Sequence, residues 1–325
     1  MFWNHVIVAL RNLRKNKLFA TINILGLAIG LTIYVFGGLL VKYERTHDMF
    51  FENAERIYTI GSIAAPELNV GIDKMNSTFS AVGPIVETEL REDVEAVART
   101  ISSEYLISVG GESFYEGILF ADPALLDIFD FDYLHGDASA LRDPSGLVIS
   151  ESIAQKYFGR TDVVGEVFTF DNEFDFHVAA VIEDVPLNSH FSSSIVIDNR
   201  VSFLVPMQGF NRMRDWDLAG DWRNLSMGNM TYVMVKEGMG EEWLAERMDG
   251  IYGRFVPDEQ REIIASLTVT PLVRANLAVW EMIGMPVIEV VSLLSLLVLI
   301  VACVNYTNLA TAQSLGRSRE VGMRK

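Results

Sequence analysis

Two long apolar segments near the ends constrain this chain more than any other feature. The first, Leu18–Val41, runs for 24 residues without a charged side chain. The second, Val287–Val304, contains one acidic residue, Glu289. An α-helix rises about 1.5 Å per residue, so about 20 apolar residues cross a hydrocarbon core roughly 30 Å thick. The sequence therefore predicts an α+β membrane protein, in which transmembrane helices at residues 18–41 and 287–310 flank a mixed α/β extracytoplasmic domain.

Positive charge is concentrated on the outer flanks of both segments. Arg11, Arg14, Lys15 and Lys17 precede the first segment, and Arg317, Arg319, Arg324 and Lys325 follow the second with Glu320. Short flanks rich in Lys and Arg stay on the cytoplasmic side of a membrane. We therefore expect both termini to be cytoplasmic and residues 42–286 to lie on the opposite side.

The segment between the two helices is strongly acidic. The whole chain has a formal net charge of −17 although both of its ends are basic. A protein that binds nucleic acid needs a basic surface to neutralise the phosphates. The charge distribution therefore predicts that no nucleic acid is a partner.

The first apolar segment could instead be a cleaved signal peptide. The hydrophobic region of a signal peptide is about 7–15 residues long and ends at small residues. Here the uncharged run is longer, and it continues through Tyr34–Phe36 to Leu39–Val41. A retained transmembrane helix is therefore the favoured interpretation.

The first 17 residues have the pattern of an amphipathic helix. Apolar side chains recur every three or four residues, at Phe2, Trp3, Val6, Ile7, Leu10 and Leu13. Such a helix, with polar and basic residues on its other face, would lie in the cytoplasmic interface of the membrane. The alternative is a basic N-terminus that serves only to orient the first transmembrane helix.

Small residues in the first apolar segment indicate a helix-packing face. Gly26 and Gly30 form a GxxxG pattern, and Gly37–Gly38 follow. Glycines one turn apart let a second helix approach closely in a membrane. We predict helix packing at Gly26 and Gly30, and the sequence leaves open whether the partner helix belongs to the same subunit.

The region between the two apolar segments mixes strand and helix periods. Residues 56–62 and 94–102 alternate as strands around an amphipathic helix at 79–91, which makes a βαβ-sized unit. Further predicted elements are a helix from Ser150 to a stop at Gly159, a hairpin around Asp171–Glu173, strands at 231–235 and 266–271, and a helix at 241–255. This order predicts one subdomain with a β-rich subdomain inserted into it.

Motifs for catalysis or metal binding are absent from the sequence. There is no GxxxxGK[ST] phosphate loop, no GxSxG elbow and no CxxC pair, and the five histidines are scattered. The acid-rich run Asp127–Asp137 could in principle bind a hard cation through oxygen ligands. Its alternation with apolar residues favours a packed edge with a solvated face. We therefore expect no enzyme activity, metal or cofactor in this chain.

Several motifs resemble those of one protein family. They are A-L-R-N-L-R-K-N-K (Ala9–Lys17), I-N-I-L-G-L-A-I-G-L (Ile22–Leu31), F-E-N-A-E-R-I-Y (Phe51–Tyr58), F-A-D-P-A-L-L-D-I-F-D-F (Phe120–Phe131), V-I-S-E-S-I-A-Q-K-Y-F-G (Val148–Gly159), V-I-E-D-V-P-L-N-S-H-F (Val181–Phe191) and N-L-A-T-A-Q-S-L-G-R-S-R-E-V-G-M-R-K (Asn308–Lys325). In order and spacing they are similar to the N-terminal half of MacB/FtsX-type ABC transporter permeases.

The resemblance implies a permease subunit of the bacterial inner (plasma) membrane. A separate cytoplasmic ABC ATPase dimer would bind and hydrolyse ATP, and this chain would couple that reaction to movement of its periplasmic domain, for export or for mechanotransmission. A second permease copy or half is implied, and a periplasmic adaptor is a further candidate partner. The periplasmic region at 42–286 would comprise a Porter-like subdomain (42–115 and 230–286) and an inserted Sabre-like subdomain (116–229).

The resemblance also implies a coupling segment at residues 311–325. The positions that match the family's motif are Arg319, Glu320, Gly322, Arg324 and Lys325. A mixed patch of charges at a helix end can make charge-assisted contacts, and a glycine permits close approach of a backbone. The alternative is that these basic residues only anchor the helix on the cytoplasmic side. Family members continue beyond this motif, so we expect the sequence to be an N-terminal piece or a truncated product.

Three classes of function remain open on the sequence. The leading class is a permease that requires an ATPase. The second is a membrane-anchored extracytoplasmic sensor or ligand-binding protein, which would carry a cytoplasmic output module. The third is a membrane-tethered envelope enzyme, which the absence of a nucleophile or acid/base constellation disfavours.

Overall fold

The computed structural model describes residues 17–68, 74–192, 201–216, 218–226, 228–277 and 284–322, together with Trp3 and Trp280. The chain divides into two compact units. One comprises residues 1–44 and 286–325, and the other comprises residues 45–285.

The secondary structure of the described residues mixes helices and strands. The helices are α1 (Lys17–Arg45), α2 (Val82–Glu89), α3 (Leu125–Ile128), α4 (Glu151–Phe158), α5 (Met207–Arg214), α6 (Glu241–Phe255), α7 (Asp258–Arg261) and α8 (Val287–Gly322). The strands are β1 (Ile57–Ala64), β2 (Lys74–Met75), β3 (Val94–Val109), β4 (Glu112–Ala121), β5 (Tyr133–His135), β6 (Gly146–Ser150), β7 (Val167–Phe170), β8 (Phe174–Ile182), β9 (Phe203–Pro206), β10 (Asn229–Val235) and β11 (Ile264–Pro271).

Helices α1 and α8 form the first unit. The stretches Ala20–Arg45 and Val287–Asn308 are long and apolar enough to cross a membrane, and most of their side chains are exposed. Apolar exposure of this kind fits helices that face lipid. The predicted fold class is thus confirmed: two apolar helices flank a mixed α/β domain. Helix α8 continues well past residue 310, where we expected the transmembrane segment to end.

The predicted interfacial helix over residues 1–17 lies outside the described residues, apart from Trp3 and Lys17. The residue boundaries of the Porter-like and Sabre-like subdomains stay a prediction.

The second unit is built on a sheet with the strand order β11-β1-β10-β3, in which neighbouring strands are antiparallel. Connections β1-α2-β3 and β10-α6-β11 make two split β-α-β units, as in ferredoxin-like folds. Helices α2 and α6 cover one face of this sheet. Their side chains Val86, Leu244 and Met248 are fully buried against strand residues such as Val233 and Ile60.

The opposite face of the same sheet carries an aromatic layer. Tyr232 of β10 and Ile57 of β1 face this layer, whereas their chain neighbours face the helices. Phe129, Phe191 and Phe51 pack there. The rings of Phe129 and Tyr232 are edge-to-face with centroids 5.1 Å apart, a favourable geometry for aromatic pairs. Both faces of β10 are therefore buried.

The chain inserted between β3 and β10 closes a small barrel. Strand β3 pairs with β4, and the ring continues through β9, β6, β8 and β7 back to β3. Large side chains fill the interior, among them Phe120, Phe168, Phe170, Phe176 and Phe203. Closure pairs most strand edges, which protects a β-rich domain from edge-to-edge association.

Several elements predicted from the sequence are confirmed. Helix α6 begins and ends where predicted, at Glu241 and Phe255. Asp171 and Asn172 have φ values of 50° and 58°, which the type I′ hairpin turn between β7 and β8 requires. Helix α4 ends at Gly159, whose φ is 68°, but the side chain of its N-cap, Ser150, makes no capping hydrogen bond.

Candidate functional site

The predicted coupling residues lie at the C-terminal end of α8. Arg319, Glu320 and Gly322 belong to this helix, which runs without a break from Val287. Arg324 and Lys325 lie outside the described residues. The structure therefore places the first three on the same continuous helix as the second apolar segment, and their coupling role stays a prediction.

Small residues bring α1 and α8 close together. A Cβ atom placed on Gly30 would lie 2.5 Å from the Cβ of Ala302, and one on Gly37 would overlap the hydroxyl of Ser295. A Cβ on Gly26 would make an ordinary contact, 3.5 Å from the side-chain nitrogen of Asn305. We call this set of positions the small-residue seam.

The contacts of the small-residue seam show the relative direction of α1 and α8. Its contacts pair rising residue numbers on α1 with falling numbers on α8, so the helices are antiparallel. Gly38, next to the seam, has no atom within 4 Å of the corresponding position. Gly26 and Gly30, which we predicted to pack against a helix, therefore both face α8 of the same chain.

A buried cluster of polar side chains lies just after α1 in the chain. Asp48 is fully buried, and its carboxylate accepts hydrogen bonds from the Ser189 hydroxyl at 2.6 Å and the His190 backbone N–H at 3.2 Å. The Nδ1 atom of His190 lies 2.9 Å from the same carboxylate. On its other side, Nε2 of His190 lies 3.0 Å from the Tyr232 hydroxyl. We call these four residues the Asp48 cluster.

Backbone contacts hold the same two segments together. The Asp48 N–H donates to the Asn188 carbonyl at 2.9 Å, and the Asn188 side-chain amide donates to the Thr46 carbonyl at 3.0 Å. Residues 46–48 are thus joined to residues 188–190 through main chain and side chains together. Since Asp48 has a φ of 57°, its backbone also adopts a conformation that only Gly, Asn and Asp visit routinely.

The charges of the Asp48 cluster are mutually compensating. Burial raises the pKa of the Asp48 carboxyl, but attraction to His190 and the hydrogen bonds from His190 and Ser189 outweigh this effect, so its pKa lies below the ordinary value. Burial, with a contribution from the Asp48 charge, raises the pKa of Tyr232. The Tyr232 phenol therefore keeps its proton at neutral pH. A buried carboxylate with this many donors is held rigidly.

Aromatic rings enclose the imidazole of His190. The ring centroids of Phe191, Tyr232 and Phe129 lie 3.9, 5.5 and 5.7 Å from the imidazole centroid. The Asp48 cluster is therefore continuous with the aromatic layer on the sheet. Such packing excludes water, which strengthens the hydrogen bonds and raises the cost of losing one.

Sequence reasoning missed the Asp48 cluster. His190 stood among five scattered histidines, and its partner Asp48 is 142 residues away in the chain. The one available signal was that Asn188–Phe191 belong to a motif that carries the family resemblance, which does not reveal the partner.

In the acid-rich run at 127–137, apolar side chains are buried and acidic side chains are exposed, as the packed-edge interpretation predicts. Phe129 and Phe131 are buried, whereas Asp127 and Asp130 are exposed, and Asp130 accepts the Glu52 N–H at 3.1 Å. Within the part of the chain that the structure describes, no three His, Cys, Asp or Glu side chains come together as metal ligands.

The match to a family model decides the assignment. The model described as MacB-like periplasmic core domain matches residues 20–251, more than two thirds of the chain. The chain belongs to the MacB-like periplasmic core domain family. This confirms the resemblance found in the sequence motifs. Comparison with curated protein sequences finds no match.

Three solved structures are similar to this MacB-like chain. A domain described as part of a permease protein from Porphyromonas gingivalis aligns with a TM-score of 0.51 and 24% identity, over 68% of this chain and 92% of that one. The periplasmic region of MacB from Actinobacillus actinomycetemcomitans aligns with a TM-score of 0.48 and 12% identity, over 70% and 93%. The extracellular domain of the noncanonic ABC-type transporter YknZ from Gram-positive bacteria gives 0.45 and 12%, over 66% and 99%.

Proposed function

We propose that this MacB-like chain is a permease subunit of an ABC transporter. In this proposal a separate cytoplasmic ATPase dimer hydrolyses ATP, and this chain converts that reaction into movement of its periplasmic domain, for export or for mechanotransmission across the envelope. The match of residues 20–251 to the family is the observation that carries the proposal. The sequence of this chain also lacks a phosphate loop, which is in keeping with a separate ATPase.

Movement would pass from the ATPase to the periplasmic domain through three features of the chain. Helix α8 is the first of them. It is 36 residues long, or about 54 Å at the usual rise per residue. This exceeds a hydrocarbon core of roughly 30 Å, so the helix can cross the membrane and still present Arg319, Glu320 and Gly322 beyond it. A force applied to that end would act on a continuous helix.

The small-residue seam is the second feature through which movement would pass. Because Gly30 and Gly37 leave no room for a side chain against Ala302 and Ser295, α1 and α8 interlock at close range. Closely packed helices transmit displacement because interiors of this density are hard to compress. A displacement of α8 would therefore be passed to α1.

The Asp48 cluster is the third feature through which movement would pass. Helix α1 ends at Arg45, and Asp48 follows three residues later. Since Asp48 is bonded to Ser189 and His190, and His190 to Tyr232 on β10, a pull on the end of α1 would reach the central sheet. Only two residues separate Arg45 from Asp48, so little of the movement would be lost between them.

The proposal includes a location and partners. Both termini would be cytoplasmic, the domain at 45–285 periplasmic, and the chain part of the bacterial inner membrane. A second permease copy or half would complete the transmembrane unit, and a periplasmic adaptor remains a candidate partner.

Charge reversal in the coupling segment tests the proposal. We expect Arg319→Glu with Arg324→Glu to reduce co-purification of an ABC ATPase subunit by about tenfold or more, because charge-assisted contacts contribute more than neutral ones. The ATPase is identified by mass spectrometry through its phosphate-loop peptide after affinity purification of the full chain. The purified chain alone should hydrolyse no nucleotide.

The matched control reverses two charges on the other cytoplasmic flank. Arg11→Glu with Arg14→Glu changes the flanking charge by the same amount, but it leaves the coupling motif intact. We expect the ATPase to remain bound to this variant. Equal loss in both variants would mean that the C-terminal charges serve only to anchor the helix, and ATPase activity of the chain by itself would contradict the division of labour.

A further inference from the structure

Strand β4 forms a hairpin with β3 whose register is fixed by its turn. Gly110 and Gly111 have φ values of 61° and 86°, as a two-residue type I′ turn requires. Val109 is therefore paired with Glu112, and the pairing continues in register to Thr100 and Ala121. In such a ladder, alternate residues direct their N–H and C=O groups toward the partner strand.

The outer edge of β4 is open over its first half. The turn directs the backbone groups of Glu112 and Phe114 toward β3, so those of Ser113, Tyr115 and Gly117 point away from it. Strand β9 pairs with this outer edge only from Leu119 to Ala121. Among the described residues, no strand pairs with the outer edge at Ser113, Tyr115 or Gly117.

A cleft of about 700 Å³ adjoins the open edge. Phe114, Lys156, Tyr157, Phe158 and Val167 help to line it. The rings of Phe114 and Tyr157 lie 5.6 Å apart, and Lys156 and Tyr157 both bond to Glu116 of β4. Phe114 and Glu116 share the face of β4 that carries Ile118 and Phe120, so a strand added at this edge would direct alternate side chains into the cleft.

Apolar side chains are exposed around the same edge. Tyr115 is 71% exposed and Phe114 is 38% exposed, and Val164 and Val167 are also exposed. Clustered apolar exposure beside an unpaired strand edge is unusual for a solvated surface, which proteins protect with charges, proline or bulges.

The charge around the edge is negative. Lys156 is balanced by Glu116, and Arg160 pairs with Glu166 at 2.7 Å. Glu112 and Glu104 are exposed on the hairpin with no compensating base in the described ion pairs. An arriving segment with basic side chains would be attracted to this edge, and an acidic one would be repelled.

We propose that the open edge of β4, Ser113–Gly117, binds an extended segment of a partner polypeptide as an added strand, with apolar side chains entering the cleft and basic side chains facing away from it. Main-chain hydrogen bonds supply affinity in this mode, and the pockets for alternate side chains supply specificity. The inference goes beyond the proposed transport function and stands independently of it.

A defined peptide tests the proposal on the full chain in lipid nanodiscs. The probe is a fluorescein-labelled peptide, KVKFKVK, whose binding is followed by fluorescence anisotropy. We expect it to bind at concentrations below about 1 mM and to slow hydrogen exchange at residues 112–118. The acidic counterpart EVEFEVE should bind about tenfold more weakly or not at all.

Backbone methylation separates strand addition from simple apolar or ionic contact. Two isomers of the probe carry three backbone N-methyl groups each, either on the last three lysines or on the three apolar residues. Only one of the two sets of N–H groups can face β4, so one isomer should lose about tenfold or more in affinity and the other should stay within about threefold. Which isomer loses affinity reports whether the added strand is parallel or antiparallel.

A proline substitution gives the matching test on the protein. Tyr115→Pro removes an outward N–H and no bond to β3, and prolines are tolerated at such edge positions. It should weaken the probe about tenfold, whereas Tyr115→Ala, which keeps the N–H, should stay within about threefold. No binding of KVKFKVK, equal binding of both methylated isomers, or unchanged exchange at 112–118 would each overturn the proposal. The methylated probes decide the matter even where Tyr115→Pro fails to fold.

Discussion

Replacing Asp48 with alanine is expected to lower the free energy of unfolding of the domain by about 3–5 kcal/mol, because removing one partner of a buried charged network leaves the others unpaired. Ser189 and the backbone N–H of His190 would lose their acceptor inside a dry aromatic layer. Alanine at a φ of 57° adds strain of about 1–2 kcal/mol. Denaturant unfolding of the full chain in detergent, followed by tryptophan fluorescence, measures the change.

Asp130→Ala is the matched control for this substitution. Asp130 is also an aspartate that accepts a backbone N–H, that of Glu52, but its side chain is exposed. We expect a cost of no more than about 1 kcal/mol, since water can replace the lost acceptor. A similar small cost for Asp48→Ala would mean that the Asp48 cluster does not hold residues 46–48 to residues 188–190.

The pH dependence of the free energy of unfolding should also reflect the buried Asp48 carboxylate. The folded-state pKa of Asp48 lies below its unfolded value, which is about 3.9, so the unfolded state binds the proton more readily. The stabilisation from this carboxylate is therefore complete above the unfolded pKa and is lost as pH falls through the folded one. Asp48→Asn, which tolerates the same φ, should show a shallower loss of stability below about pH 4 than the wild type.

Placing a leucine at Gly37 is expected to force α1 and α8 apart. The position of its Cβ is already occupied by Ser295, and overpacking of a tight contact costs about 1–3 kcal/mol. The midpoint of thermal unfolding of the full chain in detergent should fall accordingly. The paired substitution of Gly30→Ala with Ala302→Gly should restore most of what Gly30→Ala alone removes, because it exchanges the two partners of one contact.

Gly38→Leu provides the comparison within the same helix. A side chain at Gly38 meets open space, and leucine favours a helix more than glycine does by somewhat under 1 kcal/mol. Stability should therefore stay the same or rise slightly. If Gly37→Leu and Gly38→Leu behave alike, the small-residue seam does not determine how the two helices pair.

Much of the fold was predictable because local patterns determine it. The long apolar runs predicted α1 and α8, the 3.6-residue period predicted α6 at Glu241–Phe255, and the turn residues Asp171–Glu173 predicted the hairpin of β7 and β8. Strand β4 was not predicted, because Glu112–Glu116 is largely polar and exposed and lacks the alternation of a half-buried strand. Strand β9 is only four residues long.

Long-range pairing was beyond the reach of sequence patterns. Closure of the barrel depends on β7 returning to β3 at Ile107 and Ser108, some 60 residues earlier in the chain. The Asp48 cluster depends in the same way on residues 188–190 meeting residues 46–48, about 140 residues earlier in the chain. No local propensity encodes either contact, since each exists only once the sheet has formed. The coupling residues at the end of α8 were inferred from resemblance, and they stay a prediction.

We expect the chain to cross a membrane twice, with its ends on one side and residues 45–285 on the other. Single cysteines introduced at Leu187, which is 79% exposed, and at Lys325, both in a Cys303→Ser background, report each side. In intact spheroplasts a membrane-impermeant maleimide should label Leu187→Cys at once and Lys325→Cys only after permeabilisation. Labelling of Lys325→Cys in intact spheroplasts, or protection of Leu187→Cys there, would contradict this topology.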